Sequence, residues 1–266
     1  MPRISINQLM KMKSEGARIA CLTAYDHPTA LAADAEGVDL ILVGDSLGMV
    51  VLGYESTLPV TLEDMIHHGK AVVRGAGRAL VVVDLPFMSY QESPLQALRS
   101  AGRLLKETGA QAVKLEGGSE MAATVALLKQ SGIAVMGHLG LTPQSVHALG
   151  GYRVQARAKA AASRLLKDAR ALERAGAFAV VLEMVPAALS ARARKALKIP
   201  VIGIGAGPAC DGQVLVSHDL LGLTPGHVPR FARQYSQAHA EARRAIARYC
   251  ADVRQGRFPG PAETLA

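Results

Sequence analysis

Apolar residues in this chain gather in short unbroken runs instead of alternating with polar ones. The runs cover residues 19–23, 40–43, 80–83, 112–115, 134–137, 179–182, 201–204 and 213–216, and most end at a polar residue or a glycine. Continuous runs rich in Val, Ile and Leu predict strands covered on both faces, as in a parallel sheet flanked by helices. The stretches between them have helical spacing. Ser93-Pro94-Leu95-Gln96 supplies an N-cap, a proline at the first helical position and a glutamine able to reach back. Thr61-Leu62-Glu63-Asp64 opens another helix in the same way, and Gly109, Gly132 and Gly176 stand where glycine C-caps belong. Eight strand–helix units in one chain predict a (β/α)8 TIM barrel, with a doubly wound open sheet as runner-up.

Length tests that reading. At about 150 residues per domain, 266 residues would suggest nearly two domains. Barrels of this class run to about 250 residues as one domain. No low-complexity linker or shift in composition marks a boundary. The expectation is therefore a single barrel domain over 1–266, with a C-terminal helical tail at about 229–257 that packs outside the barrel or against another subunit.

Composition and charge narrow the class. Half the residues are hydrophobic, only 4% are aromatic and none is tryptophan, so the core must be built from Ala, Val, Leu and Ile. Disorder is excluded. Cys21, Cys210 and Cys250 form no CxxC pair, which leaves zinc-ribbon and thioredoxin readings without support. Residues 1–16 lack an apolar signal core, and the apolar run at 79–83 stops at Asp84 and Pro86, too short to span a bilayer. A soluble cytoplasmic protein without a membrane partner is expected. The excess positive charge is concentrated at 153–174, 192–198 and 230–257, and in the last of these Arg243, Arg244 and Arg248 stand around alanines without the interleaved aromatic or glycine-rich pattern that stacks bases. It reads as solvated helix faces, so no nucleic-acid partner is expected.

In a TIM barrel the residues that follow each strand line the catalytic face. Here these are Tyr25 and Asp26, then Gly44-Asp45-Ser46, Asp84, Lys114 with Glu116, His138, Glu183, the 203–207 glycine stretch, and Ser217-His218-Asp219. So many acids on one rim repel each other unless a cation sits among them. Asp45, Asp84 and Glu116 are the metal candidates, and hard oxygen donors from neighbouring strands suit Mg²⁺. The bland reading makes Asp45 and Asp84 caps of the turns that follow them.

Lys114 and Glu116 lie two apart on a strand and so face the same side. The lysine could form a Schiff base or, kept as an ammonium by the acids around it, hold a substrate carboxylate or enolate oxygen. Glu183 follows an apolar strand and precedes Met184, Val185 and Pro186, surroundings that raise a carboxyl pKa and suit a general base. His138 reads equally as an orienting group for substrate or water and as a structural histidine. Gly203-Ile204-Gly205-Ala206-Gly207 is a poor dinucleotide fingerprint, and is open as a phosphate cradle or a tight turn.

The sequence resembles the ketopantoate hydroxymethyltransferase family, and it does so at these same residues. The resemblance is carried by Thr23-Ala24-Tyr25-Asp26, by Val43-Gly44-Asp45-Ser46-Leu47-Gly48-Met49-Val50 and by Asp84-Leu85-Pro86-Phe87-Met88-Ser89-Tyr90. It continues through Val113-Lys114-Leu115-Glu116-Gly117-Gly118 and Gly137-His138-Leu139-Gly140-Leu141-Thr142-Pro143-Gln144, then Gly150-Gly151-Tyr152-Arg153-Val154-Gln155. Leu182-Glu183-Met184-Val185-Pro186, the 202–207 turn and His218-Asp219-Leu220-Leu221-Gly222 complete it over nearly the whole chain. Ala156 departs from the glycine of the family pattern.

The resemblance implies transfer of a hydroxymethyl group from 5,10-methylenetetrahydrofolate, as cosubstrate, to α-ketoisovalerate through a magnesium-stabilised enolate, the first step of pantothenate biosynthesis. It implies a Mg²⁺ shell of Asp45, Asp84 and Glu116, with Asp45, Ser46, Asp84, Lys114 and His138 on the substrate and Glu183 as proton acceptor. A large ring-like homo-oligomer, of decamer size, is implied as well. One rival is a Mg²⁺-dependent lyase or mutase of the phosphoenolpyruvate/isocitrate-lyase kind, which would need a phosphate or second carboxylate grip and a nucleophilic cysteine in a mobile loop. Another is a catalytically dead barrel used as a scaffold, against which the intact acids and Lys114 speak.

Overall fold

All eight apolar runs are strands in the computed structural model, which describes residues 2–226 and 228–265. Met1 and Ala266, the ends of the expected 1–266 domain, and His227 lie outside the described residues. The strands are β1 (Ile19–Thr23), β2 (Leu40–Val43), β3 (Leu80–Asp84), β4 (Ala112–Glu116), β5 (Ala134–Gly140), β6 (Ala179–Glu183), β7 (Val201–Ile204) and β8 (Gly212–Leu215). They pair in parallel, in sequence order, and β8 closes back on β1. The TIM barrel forms, and the open doubly wound sheet does not. β3, β4 and β6 each run one residue beyond their apolar stretch, which makes Asp84, Glu116 and Glu183 the last residues of their strands.

Around the barrel stand α1 (Ile6–Glu15), α2 (His27–Ala35), α3 (Leu47–Val50), α4 (Leu62–Gly75), α5 (Pro94–Thr108), α6 (Ala122–Gln130), α7 (Lys159–Ala175) and α8 (Ala187–Ala196). The capping chemistry expected from sequence is present. Ser93 accepts from Gln96 N at the start of α5, and Thr61 with Asp64 forms a complete capping box on α4. Gly109 and Gly176 take left-handed φ angles of 80° and 107° as C-caps.

One expected unit is missing. Among the described residues no helix separates β7 from β8, and residues 205–211 cross directly, with Gly205 and Gly207 at φ 61° and 80°. Seven residues are too few for a helix and two turns, so the glycine stretch is a tight turn and not the start of a phosphate-binding helix. Asp211 at its end ties the underside together. Its carboxylate accepts from Lys13 Nζ of α1 at 2.7 Å, from Arg194 Nε of α8 at 2.7 Å and from Val201 N of β7 at 2.9 Å. Its own carbonyl accepts from Ile19 N of β1 at 3.1 Å.

Because side chains alternate along a strand, each one feeds two compartments. Ile41, Val43, Val81, Val83, Val113, Val135, Val180 and Leu182 face out and join the apolar sides of the helices in one buried cluster. Ile19, Cys21, Leu40, Leu42, Leu80, Val82, Met136, Val181 and Val214 face in, and with Leu9 of α1 fill the lower barrel. Continuing the inward series upward gives Thr23, Asp84, Lys114, Glu116, His138 and Glu183, so the polar residues occupy the C-terminal end above an apolar plug.

Burial also separates the three cysteines. Cys21 and Cys210 are buried, and burial pushes both thiols up, whereas Cys250 is partly exposed. Titration of the native protein with a thiol reagent should therefore label Cys250 promptly and the other two only on unfolding. Prompt modification of more than one thiol per chain would contradict the burial.

The chain divides into two compact units, Met1–Val216 and Ser217–Ala266. The second holds α9 (Ser217–Leu221) and α10 (Ala238–Arg254). Gly222 at φ 66° ends α9, and its carbonyl accepts from His239 N at 3.0 Å. The expected 229–257 helical tail is helical only over α10, because residues 228–237 hold no helix. No residue of α10 is fully buried, and Ile246, Tyr249 and Val253 are exposed. Among the described residues no helix is long and apolar enough to cross a membrane.

Candidate active site

Register brings the inward polar residues together. Asp84 of β3 is the ladder neighbour of Lys114 of β4, and Glu116 of β4 is that of His138 of β5. Lys114 Nζ accordingly lies 3.0 Å from Asp84 Oδ1, and His138 Nδ1 lies 3.3 Å from Glu116 Oε1. His138 Nε2 reaches diagonally to Glu183 Oε2 at 3.2 Å. Asp45, just past β2, donates its backbone N–H to Asp84 Oδ2 at 3.1 Å. Ser46 is half-buried, and its Oγ sits 2.8 Å from Tyr25 OH. The seven residues expected from sequence thus share one pocket at the barrel's C-terminal mouth.

Asp26 goes elsewhere. It caps α2 by accepting from Thr29 N at 2.8 Å, the role that the capping alternative gave to Asp45 and Asp84. Asp45 does not cap α3, whose N-cap Ser46 makes no side-chain capping bond either. Glu183 is not in the purely apolar setting its sequence neighbours suggest, since it lies against the His138 ring. Two glycines let the acids in. A Cβ on Gly44 would lie 2.9 Å from Ser46 Oγ and 3.6 Å from Asp84 Oδ2, and one on Gly140, at φ 95°, would strike the Glu183 carbonyl.

The electrostatics are lopsided. Burial, then the nearby Asp84 and Glu116 charges, push Asp45 up to about 8 against the pull of Lys114 and Gln144. Burial works against the Lys114 charge, but Asp84, Glu116 and Asp45 overcome it and hold the ammonium above its ordinary value. That environment disfavours a free-amine nucleophile. Burial and Lys114 also push His138 down, while Glu116 and Glu183 carry it up to about 9. Four acids share the pocket with one lysine and one histidine.

The fit to a hard divalent cation can be judged from the donors. Asp84 Oδ1 is buried and paired with Lys114 Nζ at 3.0 Å. Among the described residues no group of three or more His, Cys, Asp or Glu side chains is gathered so as to hold a metal ion. Mg²⁺ is commonly held by one or two carboxylates, with waters and substrate oxygens filling its remaining positions, so an open acidic pocket suits it.

Two polar residues here were not picked out by the strand-end reading: Tyr90 and Gln144. Both are buried, and Tyr90 OH lies 2.7 Å from Gln144 Oε1 and 3.1 Å from Glu116 N. Tyr90 and Gln144 follow their strands by several residues, and only their places in the Asp84–Tyr90 and Gly137–Gln144 motifs pointed toward them. Gln144 lies early in the long 141–158 connection from β5 to α7, whose Tyr152 OH meets Met49 Sδ at 3.5 Å. Ala156 in this connection is held at φ 57°, where a Cβ is strained. Ala156→Gly should relieve that strain and raise stability by about 0.5–1 kcal/mol, a gain of a few degrees at most in calorimetric Tm. A fall in Tm would show that the turn is not strained.

The lyase/mutase reading needs a nucleophilic cysteine in a mobile loop, and Cys210, which follows β7, is wholly buried in the β7–β8 turn with its thiol pushed up by burial. It offers no thiolate to the mouth.

A closed parallel barrel with buried acids, a lysine and a histidine at its C-terminal mouth defines an α/β-barrel enzyme. The chain belongs to the ketopantoate hydroxymethyltransferase family, whose model matches residues 3–261. The 3-methyl-2-oxobutanoate hydroxymethyltransferase of Carboxydothermus hydrogenoformans is 57% identical over 259 residues, covering 97% of this chain and 94% of that one. The enzyme of the same name from Moorella thermoacetica is 58% identical over 257 residues, covering 97% and 96%. Among solved structures, phosphonopyruvate hydrolase in complex with oxalate and Mg²⁺ matches with a TM-score of 0.64 at 12% identity, covering 98% of this chain and 92% of that one. A 2,3-dimethylmalate lyase matches at 0.61 and 16% identity, covering 98% and 91%. At such identities the likeness is one of fold alone.

Proposed function

We propose that the protein transfers a hydroxymethyl group from 5,10-methylenetetrahydrofolate to 3-methyl-2-oxobutanoate (α-ketoisovalerate), yielding ketopantoate for pantothenate synthesis. The observation that carries this reading is the pairing, in one buried pocket, of Lys114 on Asp84 with the Glu116–His138–Glu183 line. The first pair suits an anionic keto acid, and the second ends in a carboxylate that can take a proton.

Asp45 and Asp84, with Glu116 beside them, would hold Mg²⁺, and the cation would supply Lewis-acid polarisation of the keto acid when bound. Lys114, kept charged, faces the substrate's anionic oxygens and offsets the charge that grows on them as the enolate forms. Ser46, oriented by Tyr25, adds a hydroxyl at the same end. Glu183 takes the proton from C3, and His138 holds the carboxylate in place. The C3 carbanion equivalent then bonds to the methylene carbon of the folate. Both carbon–nitrogen bonds of the methylene bridge break, water supplies the hydroxyl oxygen, and the proton from C3 and one from water end on the two folate nitrogens. The protein is further proposed to act in the cytoplasm as a homo-oligomer.

The test is product formation, followed by mass spectrometry, from 3-methyl-2-oxobutanoate, 5,10-methylenetetrahydrofolate and Mg²⁺. C3–H exchange of the keto acid in D₂O without folate is followed alongside. Both should occur. A protein giving neither product nor exchange would overturn the function.

A further inference from the structure

The strongest unassigned arrangement in the molecule is the set of bonds made by Gln144. Its Nε2 donates to Asp45 Oδ2 at 2.8 Å and to the Leu85 carbonyl at 2.9 Å. Its Oε1 accepts from Tyr90 OH at 2.7 Å and from Gln91 Nε2 at 3.1 Å. The backbone N–H of the same residue donates to Glu116 Oε2 at 3.0 Å. Both amide hydrogens and both acceptor sites are used, so the side chain has one orientation, and flipping it would break all four bonds. One buried residue from the loop after β5 therefore grips an acid from β2 and an acid from β4.

We propose that Gln144 is a positioning residue that dictates which oxygens of Asp45 and Glu116 face the pocket, and thereby sets the affinity of the site for a divalent cation. The inference rests on the reading of Asp45 as a cation ligand. With Asp45 Oδ2 engaged by Gln144, Oδ1 is left to the pocket, and with Glu116 Oε2 engaged, Oε1 is turned to His138. Tyr90 acts one step further out, fixing the amide through its acceptor oxygen while its hydroxyl also accepts from Glu116 N at 3.1 Å. An apolar side chain at 144 removes this grip. Asp45 is then free to rotate and lacks a donor in a pocket crowded with like charge.

Partners that orient a ligand carboxylate or histidine typically change metal affinity by about 10–100-fold when lost. The experiment titrates Mn²⁺ into the full-length protein without substrates, reading free Mn²⁺ by electron paramagnetic resonance, for wild type, Gln144→Leu and Asp45→Asn. Far-UV circular dichroism confirms folding. Gln144→Leu should bind Mn²⁺ about 10–100-fold more weakly, and excess Mg²⁺ should restore much of its turnover. Asp45→Asn should bind more weakly still. A folded Gln144→Leu variant with wild-type Mn²⁺ affinity, beside an Asp45→Asn variant that has lost it, overturns the role of Gln144 and leaves the ligand reading standing. Wild-type affinity in Asp45→Asn overturns the ligand reading itself. Should the leucine variant not fold, Gln144→Met keeps the chain length, removes both polar ends and is read by the same criteria.

Discussion

Replacing Glu183 by glutamine is expected to lower kcat by about 10²–10⁴-fold while leaving the barrel folded, the usual range for loss of a positioned general base. The change removes one thing. Gln has nearly the shape of Glu and can still meet His138 Nε2, which lies 3.2 Å from Glu183 Oε2 in the native protein. It cannot accept the C3 proton. The discriminating measurement is C3–H exchange of 3-methyl-2-oxobutanoate in D₂O with Mg²⁺ and no folate, which isolates proton removal from one-carbon transfer. Exchange should fall with turnover. Exchange that survives intact in Glu183→Gln would assign the base elsewhere, even if product formation were lost. Because the substituted group is at the open end and glutamine can keep the contact with His138, the melting temperature should stay close to that of the wild type.

Asp211→Ala should do the reverse, costing about 3–5 kcal/mol of stability with little effect on the chemistry of the molecules that remain folded. The Asp211 side chain is 1% exposed and takes Lys13, Arg194 and the Val201 N–H at once. Truncation leaves a nearly buried ammonium and a buried backbone donor without their partner, the costly way to break such an arrangement. It also unties α1, α8 and the start of β7 on the underside of the barrel, where a chain lacking a β7–β8 helix has little else to hold it. Calorimetry should show a fall in Tm on the order of 10 °C. A change below about 1 kcal/mol would mean that the underside is held by packing alone.

Both effects were unequally visible beforehand. Glu183 ends an apolar strand in a chain whose strands could be counted, so its place at the mouth follows from position. Asp211 stands in a short run of small residues with no pattern around it that singles it out. Its partners lie 198, 17 and 10 residues away in the chain. No local pattern encodes such a meeting. Gln144 and Tyr90 escaped for the same reason, since each acts several residues beyond its strand and 54 residues from the other. The missing seventh helix was overlooked because the count of units treated a seven-residue turn as though it could hold one.

Strand positions, capping of α4 and α5 and the inward series at the ends of β3 to β6 were all determined by the amino-acid sequence alone. Each is written in neighbouring residues: unbroken apolar runs for buried parallel strands, Ser or Thr before a turn for a cap, alternation for the inward face. The tertiary structure alone decided that Asp84 pairs with Lys114, that His138 spans Glu116 and Glu183, and that Gln144 grips two acids from different strands. Those contacts depend on the register of parallel strands whose connections are long. Register is settled by packing across the whole barrel, where every strand must match two neighbours at once.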